Sequence, residues 1–310
     1  MKLAVIMDPI HTIKPYKDTS FALMLAAQAL GAELYYCEIS DLFIENNLPN
    51  AYFKKITVHD KLENFFEIKN ESIERLDSMN VILMRKDPPI NTAYLHATQI
   101  LDLTDQQHTR IINHPKSLLN FNEKLTIHAF PTLCPPTVVS AKIDKIISFI
   151  KTHRSVICKP IDEMGGKNVF KIEANDPNTQ VILEFLTHHE TRQMICQKFI
   201  ADISQGDKRI LMINGEPLPY ALARIPAKGS VRGNLAAGGQ GKGIALDEHD
   251  LKICQAVSPF LKQHGLYFVG LDVIGRYLTE INVTSPTCLR ELENIYQIPF
   301  SKQIMESLLS

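Results

Sequence analysis

Several features that would place this chain in a familiar class are missing from its sequence. It has no run of lysine and arginine, and its formal net charge of −1 leaves no electrostatic footprint for nucleic acid. No apolar stretch approaches the length of a membrane span, and the first strand, residues 3–7, is too short to be the core of a signal peptide. We therefore expect neither nucleic acid nor a membrane as a partner.

The cysteines lack any regular spacing. The chain has six, no two of them form a C-x-x-C pair, and several lie within apolar runs, as buried reduced thiols do. The pattern predicts free thiols and a cytoplasmic protein, because a reducing cytosol keeps thiols unpaired.

Common nucleotide-binding and catalytic motifs are also absent. The turn after the first strand contains no glycine, which argues against a G-x-G-x-x-G dinucleotide site. Residues 238–243 resemble a P-loop only superficially, because neither serine nor threonine follows Lys242. No Ser-His-Asp or Cys-His arrangement stands out, and the adjacent His188 and His189 cannot both bind one metal ion from a helix face.

With 310 residues, the chain is long enough for two or three domains. Its first part, residues 1–121, alternates predicted strands with predicted helices, which indicates an open α/β sheet with parallel strands. The strands are expected at 2–7, 33–39, 81–84 and 110–113, and the helices at 21–30 and 93–103. Between residues 46 and 70 the pattern is weak.

A smaller mixed unit is predicted over residues 122–200, followed by a C-terminal unit over 201–310. The middle unit has a predicted helix that starts at Asn122 and contains Lys124, a second helix at 144–151, and strands at 156–160, 169–172 and 193–200. The last unit opens with a hairpin about Asn214-Gly215, whose two-residue turn would place Arg209 opposite Tyr220 and Asp207 opposite Leu222. A glycine-rich loop, 226–243, is interpreted as a mobile lid, and an amphipathic helix is predicted at 248–264.

The stretch from 268 to 283 reads as two short strands in which apolar residues alternate with polar ones. A three-residue turn at Gly275, Arg276 and Tyr277 would pair Asp272 with Glu280. Asn282 would then share their face. Two carboxylates and an amide oxygen on one patch suit Mg²⁺ that also holds phosphate, although a solvated acidic face has the same spacing.

Further polar residues complete a set suited to phosphoryl transfer. Lys159 lies in an apolar strand before Gly165 and Gly166, whose loop can lay backbone N–H groups over phosphates. Arg209 and Arg224 share a face of the hairpin and offer a fork for a carboxylate or phosphate, with an ordinary ion pair to Asp207 as the alternative.

The chain resembles the bacterial, or prokaryotic-type, glutathione synthetase family of ATP-grasp ligases along its whole length. The most specific segments are Arg-Gly-Asn-Leu-Ala-Ala-Gly-Gly at 232–239 and Asn-Val-Thr-Ser-Pro-Thr at 282–287. Other matching segments, in the family's order, lie at 7–10, 81–89, 122–124, 159–160, 164–166, 206–209, 223–226 and 268–275.

This resemblance implies an α/β (α+β) fold, in which an open α/β N-terminal (pre-ATP-grasp) domain, 1–121, precedes the ATP-grasp fold. A central lid domain, 122–200, and a C-terminal domain, 201–310, would grip ATP between them. The implied reaction joins γ-L-glutamyl-L-cysteine to glycine through an acyl phosphate, with ATP as co-substrate and Mg²⁺, or Mn²⁺ in its place, as the metal. A homo-oligomer, a tetramer by family habit, is also implied.

The family's pattern assigns roles to individual residues of this chain. Those implied for the nucleotide are Lys124, Lys159, Gly165, Gly166, Gln197, Lys198, Phe199, Ile200 and Asp207. Those implied for the other substrates are Arg85, Arg209, Arg224, Arg232, Asn234, Ser285 and Thr287, with Arg209, Arg224 and Lys159 as the catalytic residues. Those implied for the metal are Asp272, Glu280 and Asn282. Relatives usually carry asparagine and tyrosine where this chain has Lys198 and Phe199.

Two other functions use parts of the same set. An amino-acid ligase acting on a peptide or protein C-terminus would need the same ATP-binding residues. A regulatory nucleotide-binding module would have lost the chemistry, against which the intact Lys124, Lys159, Glu280 and Asn282 count.

Overall fold

The computed structural model describes residues 1–230, 232–235 and 238–309, and these form three β-sheets with helices packed on them. Val231, Ala236 and Ala237 of the predicted lid, and Ser310 of the predicted C-terminal domain, lie outside the described residues. No helix of the described part is long and apolar enough to cross a membrane.

The first sheet has seven strands. Four of them, β1, β2, β6 and β7, run parallel, as the alternation of strands and helices predicts. The strands are β1 (Lys2–Ile6), β2 (Glu33–Cys37), β3 (Leu42–Glu45), β4 (Leu48–Val58), β5 (Phe66–Arg75), β6 (Val81–Met84) and β7 (Arg110–Ile112). The helices of this region are α1 (Thr19–Ala29), α2 (Thr92–Asp102) and α3 (Pro115–Asn120).

The long hairpin of β4 and β5 occupies much of the stretch, 46–70, whose pattern gave no prediction. Most of β5 is exposed, so its sequence carries no apolar face to mark it as a strand. Asp18 caps α1, because its side chain accepts a hydrogen bond from the backbone N–H of Phe21.

The second sheet is antiparallel and has four strands, in the order β10-β9-β11-β8. They are β8 (Thr137–Ser140), β9 (Ser155–Pro160), β10 (Phe170–Glu173) and β11 (Met194–Lys198), with the helices α4 (Ile143–His153) and α5 (Thr179–Thr187). The prediction of a helix containing Lys124 is wrong. Asn122 instead accepts hydrogen bonds from the N–H groups of Lys124 and Leu125, and a single 3₁₀ turn, Thr126–Ala129, follows.

The third sheet is antiparallel, with five strands in the order β14-β13-β12-β15-β16. They are β12 (Asp207–Ile213), β13 (Glu216–Ile225), β14 (Gln240–Ala245), β15 (Phe268–Ile274) and β16 (Tyr277–Asn282). The helices are α6 (Glu248–Gln263), α7 (Leu289–Tyr296) and α8 (Phe300–Leu309).

The predicted register of the β12–β13 hairpin is wrong beyond its turn. Ile213 does pair with Glu216, but Arg209 lies opposite Leu222 and Asp207 opposite Arg224. The shift falls next to Pro219, which has no N–H to donate to the ladder. Because the shift is by two residues, each side chain keeps its predicted face.

Two further expectations are corrected in this sheet. The predicted loop 226–243 ends in a strand, β14, which pairs with β13. Asp272 does pair with Glu280, but through a two-residue turn at Gly275 and Arg276 and a bulge at Thr279. The bulge adds the odd residue that the prediction had assigned to the turn.

The first and third sheets share their apolar cores, whereas the second has a core of its own. One cluster joins Ile6 and Ile82 of the first sheet to Ile210 and Leu271 of the third. Another, which includes Ile146 and Met194, contains buried residues only of the second sheet and its two helices. Phe130 and Leu133 pack against the shared core, so residues just after 122 lie on the third sheet. The division at 121/122 and 200/201 stays a prediction.

Candidate active site

A cavity lies between the second and third sheets. All nine residues predicted for the nucleotide line it, namely Lys124, Lys159, Gly165, Gly166, Gln197, Lys198, Phe199, Ile200 and Asp207. Lys171 lies 4.2 Å above the ring of Phe199 at one edge of this cavity.

The apolar strand β9 delivers Lys159 into the cavity. Side chains alternate along the strand, so Cys158 faces the core while Lys159 faces the opposite sheet. Its Nζ donates to Oε1 of Glu280 at 2.7 Å, and both side chains are largely buried. Burial opposes ionisation of Glu280, but Lys159 and Lys124 outweigh it and hold the pKa of that carboxyl below its usual value.

Lys124 brings a positive charge whose direct partners are backbone carbonyls. Its Nζ donates to the backbone carbonyls of Glu163 at 2.5 Å and Ile161 at 3.3 Å. Within the described ranges, no carboxylate lies at ion-pair distance from it. A buried ammonium in this setting is suited to an anionic ligand.

The glycine loop approaches the segment around Asn234 from the other side of the cavity. Gly165 and Gly166 have φ angles of +70° and +76°, a region that L-residues rarely adopt. A Cβ on Gly166 would come within 2.9 Å of Oδ1 of Asn234. The side chain of Arg232 donates to the backbone carbonyl of Gly166 at 3.4 Å. Glycine therefore allows the two loops to meet over the cavity.

Arg209 and Arg224 form a buried cluster with two aspartates. Arg209 donates to both oxygens of Asp272, at 2.5 and 3.0 Å. Arg224 bridges Asp272 at 2.8 Å and Asp207 at 2.5 Å. Two guanidinium groups thus balance two carboxylates. The ion pair with Asp207, which the sequence offered as the alternative to a ligand-binding fork, is therefore formed.

The aspartates of this cluster differ in their ionisation. Burial opposes the charge of Asp272, but Arg209 and Arg224 outweigh it and hold its pKa well below the usual range. Burial raises the pKa of Asp207 to about 6, although Arg224 acts in the opposite sense. Oδ1 of Asp207 is buried and has no hydrogen-bond partner among the described residues.

A second cavity adjoins the first. Five residues line both cavities, namely Lys124, Met164, Gly165, Asn234 and Glu280. The predicted substrate residues Arg209, Arg224, Asn234, Ser285 and Thr287 line the second cavity, as does Asn282. A molecule in each cavity would therefore meet the other beside Lys124 and Glu280.

Two residues predicted for substrates lie elsewhere. Arg232 lines the first cavity. Arg85 is buried behind Pro286, where it donates to the Pro286 carbonyl at 2.8 Å and to Ser20 at 2.9 Å and lies over the ring of Phe268. Burial lowers the pKa of Arg85 to about 10. In this structure Arg85 positions the segment that forms the cavity wall.

Several residues that line the second cavity were not predicted as site residues from the sequence. The second cavity also contains Lys14, Lys17, Asp18, Asp87, Glu123 and Glu291. Glu123 accepts hydrogen bonds from the N–H groups of Val283 and Thr284 and so fixes the end of β16. The sequence signal for this group is indirect, since Asp87 and Glu123 lie in segments that resemble the family.

The oxygen atoms available near Glu280 fit a hard cation. Glu280 and Asn282 are two residues apart on β16, and Asn282 uses its Nδ2 to bind the Gly270 carbonyl, which leaves its Oδ1 for another partner. Both oxygens of Asp272 already accept hydrogen bonds from arginine. No group of three or more His, Cys, Asp and Glu side chains in the described part is arranged to hold a metal, so the fit rests on one carboxylate, one amide and the ligand's own oxygens.

Family models and curated relatives of this chain carry the same family name. Residues 1–118 match the model of the prokaryotic glutathione synthetase N-terminal domain, and residues 123–297 match that of the prokaryotic glutathione synthetase ATP-grasp domain. The glutathione synthetase of Vibrio parahaemolyticus is 49% identical over 308 residues, covering 99% of this chain and 98% of the relative. That of Yersinia pestis is 46% identical over 309 residues, covering 99% and 97%.

Solved structures with the same fold are more distant in sequence. The D-cycloserine synthetase DcsG superposes with a TM-score of 0.70 at 14% identity, covering 99% of this chain and 100% of that one. A RiPP-associated ATP-grasp ligase of Chryseobacterium gregarium, in complex with ADP and with a leader and core peptide, gives 0.66 at 15% identity, covering 100% and 97%. These likenesses establish the ATP-grasp fold.

Proposed function

This chain belongs to the prokaryotic glutathione synthetase family and is an ATP-dependent ligase that forms glutathione, ADP and phosphate from γ-L-glutamyl-L-cysteine and glycine, and we propose that it does so through an acyl phosphate formed where its two cavities meet. The observation that carries the proposal is the shared wall beside Lys124, Gly165 and Glu280. ATP in the first cavity and a peptide in the second would bring phosphate and carboxylate together there.

The first cavity supplies what the nucleotide needs. The strand segment from Gln197 to Ile200 offers backbone groups and the ring of Phe199 to adenine. The phosphates would point towards Lys124 and Lys159, and the loop at Gly165 and Gly166 would cover them. Lys159, now paired with Glu280, would turn to phosphate when ATP binds.

The second cavity positions the peptide. Arg209 and Arg224 would hold the cysteinyl carboxylate, with Ser285 and Thr287 further along the wall. A carboxylate oxygen then attacks the γ-phosphorus, the bond from that phosphorus to the bridging oxygen breaks, and ADP leaves. The glycine amine attacks the resulting acyl carbon, inorganic phosphate leaves, and the amide bond remains.

Both steps require that water stay out, because it would hydrolyse the acyl phosphate. The glycine loop and the segment of Arg232 and Asn234 lie over the junction and are the elements suited to closing it.

The metal in this proposal is Mg²⁺, with Mn²⁺ as a substitute, held by Glu280 and Asn282 with Asp272 beside them. When bound, it would neutralise charge on the phosphate oxygens. We expect a chelator to abolish turnover, and excess Mg²⁺ or Mn²⁺ to restore it. Full activity of protein stripped of divalent ions would contradict the assignment.

Location and assembly complete the proposal. We place the protein in the cytoplasm because all six cysteines, each in a described range, are free. We infer a homo-oligomer, a tetramer by family resemblance.

The decisive experiment is release of phosphate in a coupled assay with ATP, Mg²⁺, γ-glutamylcysteine and glycine, omitting each in turn. Turnover that needs all four components supports the proposal. Phosphate release that needs glycine and a protein C-terminus, but not γ-glutamylcysteine, would identify the amino-acid ligase instead. Nucleotide binding with no ADP formed would identify the regulatory module.

A further inference from the structure

Two cysteines of the central sheet face each other across neighbouring strands. Cys158 on β9 pairs directly with Cys196 on β11, and their Sγ atoms are 3.1 Å apart. Directly opposite residues of an antiparallel pair have the Cβ separation closest to that of a disulfide. The other four cysteines, Cys37, Cys134, Cys254 and Cys288, have no such partner among the described residues.

Neither thiol takes part in the proposed chemistry. Both are fully buried in the separate core of the second sheet, beneath Ile146 and Ile150 of α4 and Leu183 of α5. Alternation along the strands sends their neighbours, Lys159 and Gln197, to the opposite face, where both line the nucleotide cavity. The pair therefore lies one residue away from the site, on the other side of the same strands.

We propose that Cys158 and Cys196 form a reversible disulfide site that reacts with low-molecular-weight disulfides. The thiolate of one cysteine attacks a sulfur of the small disulfide, which gives a mixed disulfide and one small thiol. The second cysteine attacks the protein sulfur of the mixed disulfide, which forms the Cys158–Cys196 bond and releases the second small thiol. Two protein thiols are oxidised, the small disulfide is reduced to two thiols, and the protein's two protons pass to them.

Access to the pair is controlled by opening of the central domain. Hydrogen bonding to Cys196 and burial both raise the pKa of Cys158, so few thiolates exist in the closed state. Local opening of α4 and α5 away from the sheet would expose both sulfurs together. The reaction is therefore slow in buffer and faster in denaturant below the global transition. Once formed, the bond fixes the spacing of the strands that carry Lys159 and Gln197.

The test exposes the whole chain to glutathione disulfide over a series of sub-denaturing urea concentrations, then counts free thiols after unfolding and maps the digested peptides without reduction. We expect the number of free thiols per chain to fall from six to four, with one peptide linking positions 158 and 196, and dithiothreitol to restore all six. The readout does not depend on ligase activity, so it stands or falls separately from the proposed function.

Matched variants test whether the lost free thiols are those of Cys158 and Cys196. Alanine suits these apolar positions, so Cys158→Ala and Cys196→Ala should keep the fold but yield no cross-linked peptide. Cys254→Ala, which removes a buried cysteine of α6, should behave like the wild type. Retention of all six thiols throughout the series, or a link that persists in Cys158→Ala, would overturn the proposal.

Discussion

At the scale of single residues, most charges of the site other than Lys124 are already paired before a ligand enters. Arg209 and Arg224 neutralise Asp272 and Asp207, and Lys159 neutralises Glu280. Burying such groups unpaired would cost far more than the pairs themselves contribute. An incoming carboxylate or phosphate thus exchanges partners within an existing network, and the geometry of each cation matters more than its charge.

Arg224→Lys tests that conclusion. Lysine keeps the charge but lacks the planar fork, in which Nη2 contacts Asp207 and Asp272 while Nε donates to the Asp207 carbonyl at 3.4 Å. We expect kcat/KM to fall by about 10²–10³-fold and the melting temperature by only about 2–4 °C. Steady-state kinetics and thermal unfolding measure the two effects, and the exposed Arg276→Lys is the control that should change neither. Parallel loss of activity and melting temperature would contradict the prediction.

Asp207 predicts a pH dependence of stability. Its pKa is raised from 3.8 to about 6 in the folded protein, chiefly by burial. Between these values the folded protein keeps a proton that the unfolded chain has released, so raising the pH through this window lowers the free energy of unfolding. Asp207→Asn removes this term, so its melting temperature relative to wild type should rise from about pH 4 to about pH 6. The exposed Asp144→Asn should show a constant difference, and so would Asp207→Asn if the carboxyl were ionised throughout.

At the scale of elements, the sequence predicts those whose local pattern and packing agree. The strand β6 was expected at 81–84 and is found there, because all four of its residues are apolar and buried. The strand β14 was read as loop because two of its six residues are glycine. A Cβ on Gly243 would lie 2.7 Å from the ring of Tyr296, so that glycine serves close packing of α7, which local sequence does not reveal.

Strand registers were predictable only where the turn determines them. The Asn214-Gly215 turn correctly gave the first pair of its hairpin, but the shift near Pro219 and the bulge at Thr279 depend on packing further away. Despite both errors in register, each functional side chain lies on its predicted face of the sheet. Asp272 met Glu280 because the bulge supplies the same parity as the longer turn that was expected.

The glycine loop of the central domain gives a prediction at this scale. Gly166→Ala imposes a strained φ and drives a Cβ to within 2.9 Å of Asn234. We expect a higher KM for ATP, with little change in melting temperature, because the loop would no longer meet the segment opposite. Gly31→Ala has a similar positive φ but nothing within 4 Å, so it isolates the strain. Equal KM values for the two variants would show that the contact with Asn234 is unimportant.

At the scale of the whole molecule, the residues that line the first cavity could be grouped from the sequence, and the far wall of the second cavity could not. Lys159, Gly165 and Glu280 belong to segments whose motif survives in the linear sequence. Lys14 and Glu291 are separated by most of the chain and line the same cavity because α7 and α8 pack against α1. No local pattern marks such a meeting.

The separate core of the second sheet predicts independent opening of the central domain. Ile146→Ala removes fully buried volume from that core and should cost about 2–5 kcal/mol locally. Amide exchange should accelerate over 137–198 and stay unchanged in β12 and β15. Leu271→Ala, in the core shared by the first and third sheets, should instead accelerate exchange in both of those sheets. Uniform acceleration by Ile146→Ala would show that the three sheets unfold as one unit.

The packing of α8 on α1 has a consequence for how the chain is made. Phe300, Ile304 and Leu308 cover an apolar surface that includes Phe21 and Met24, residues synthesised near the start of translation. On the ribosome, that surface emerges early and stays uncovered until almost the whole chain has left the exit tunnel. During that interval it is a target for chaperones and for association between nascent chains. The second cavity, whose wall includes Thr287 and Glu291, is therefore among the last parts of the molecule to take shape.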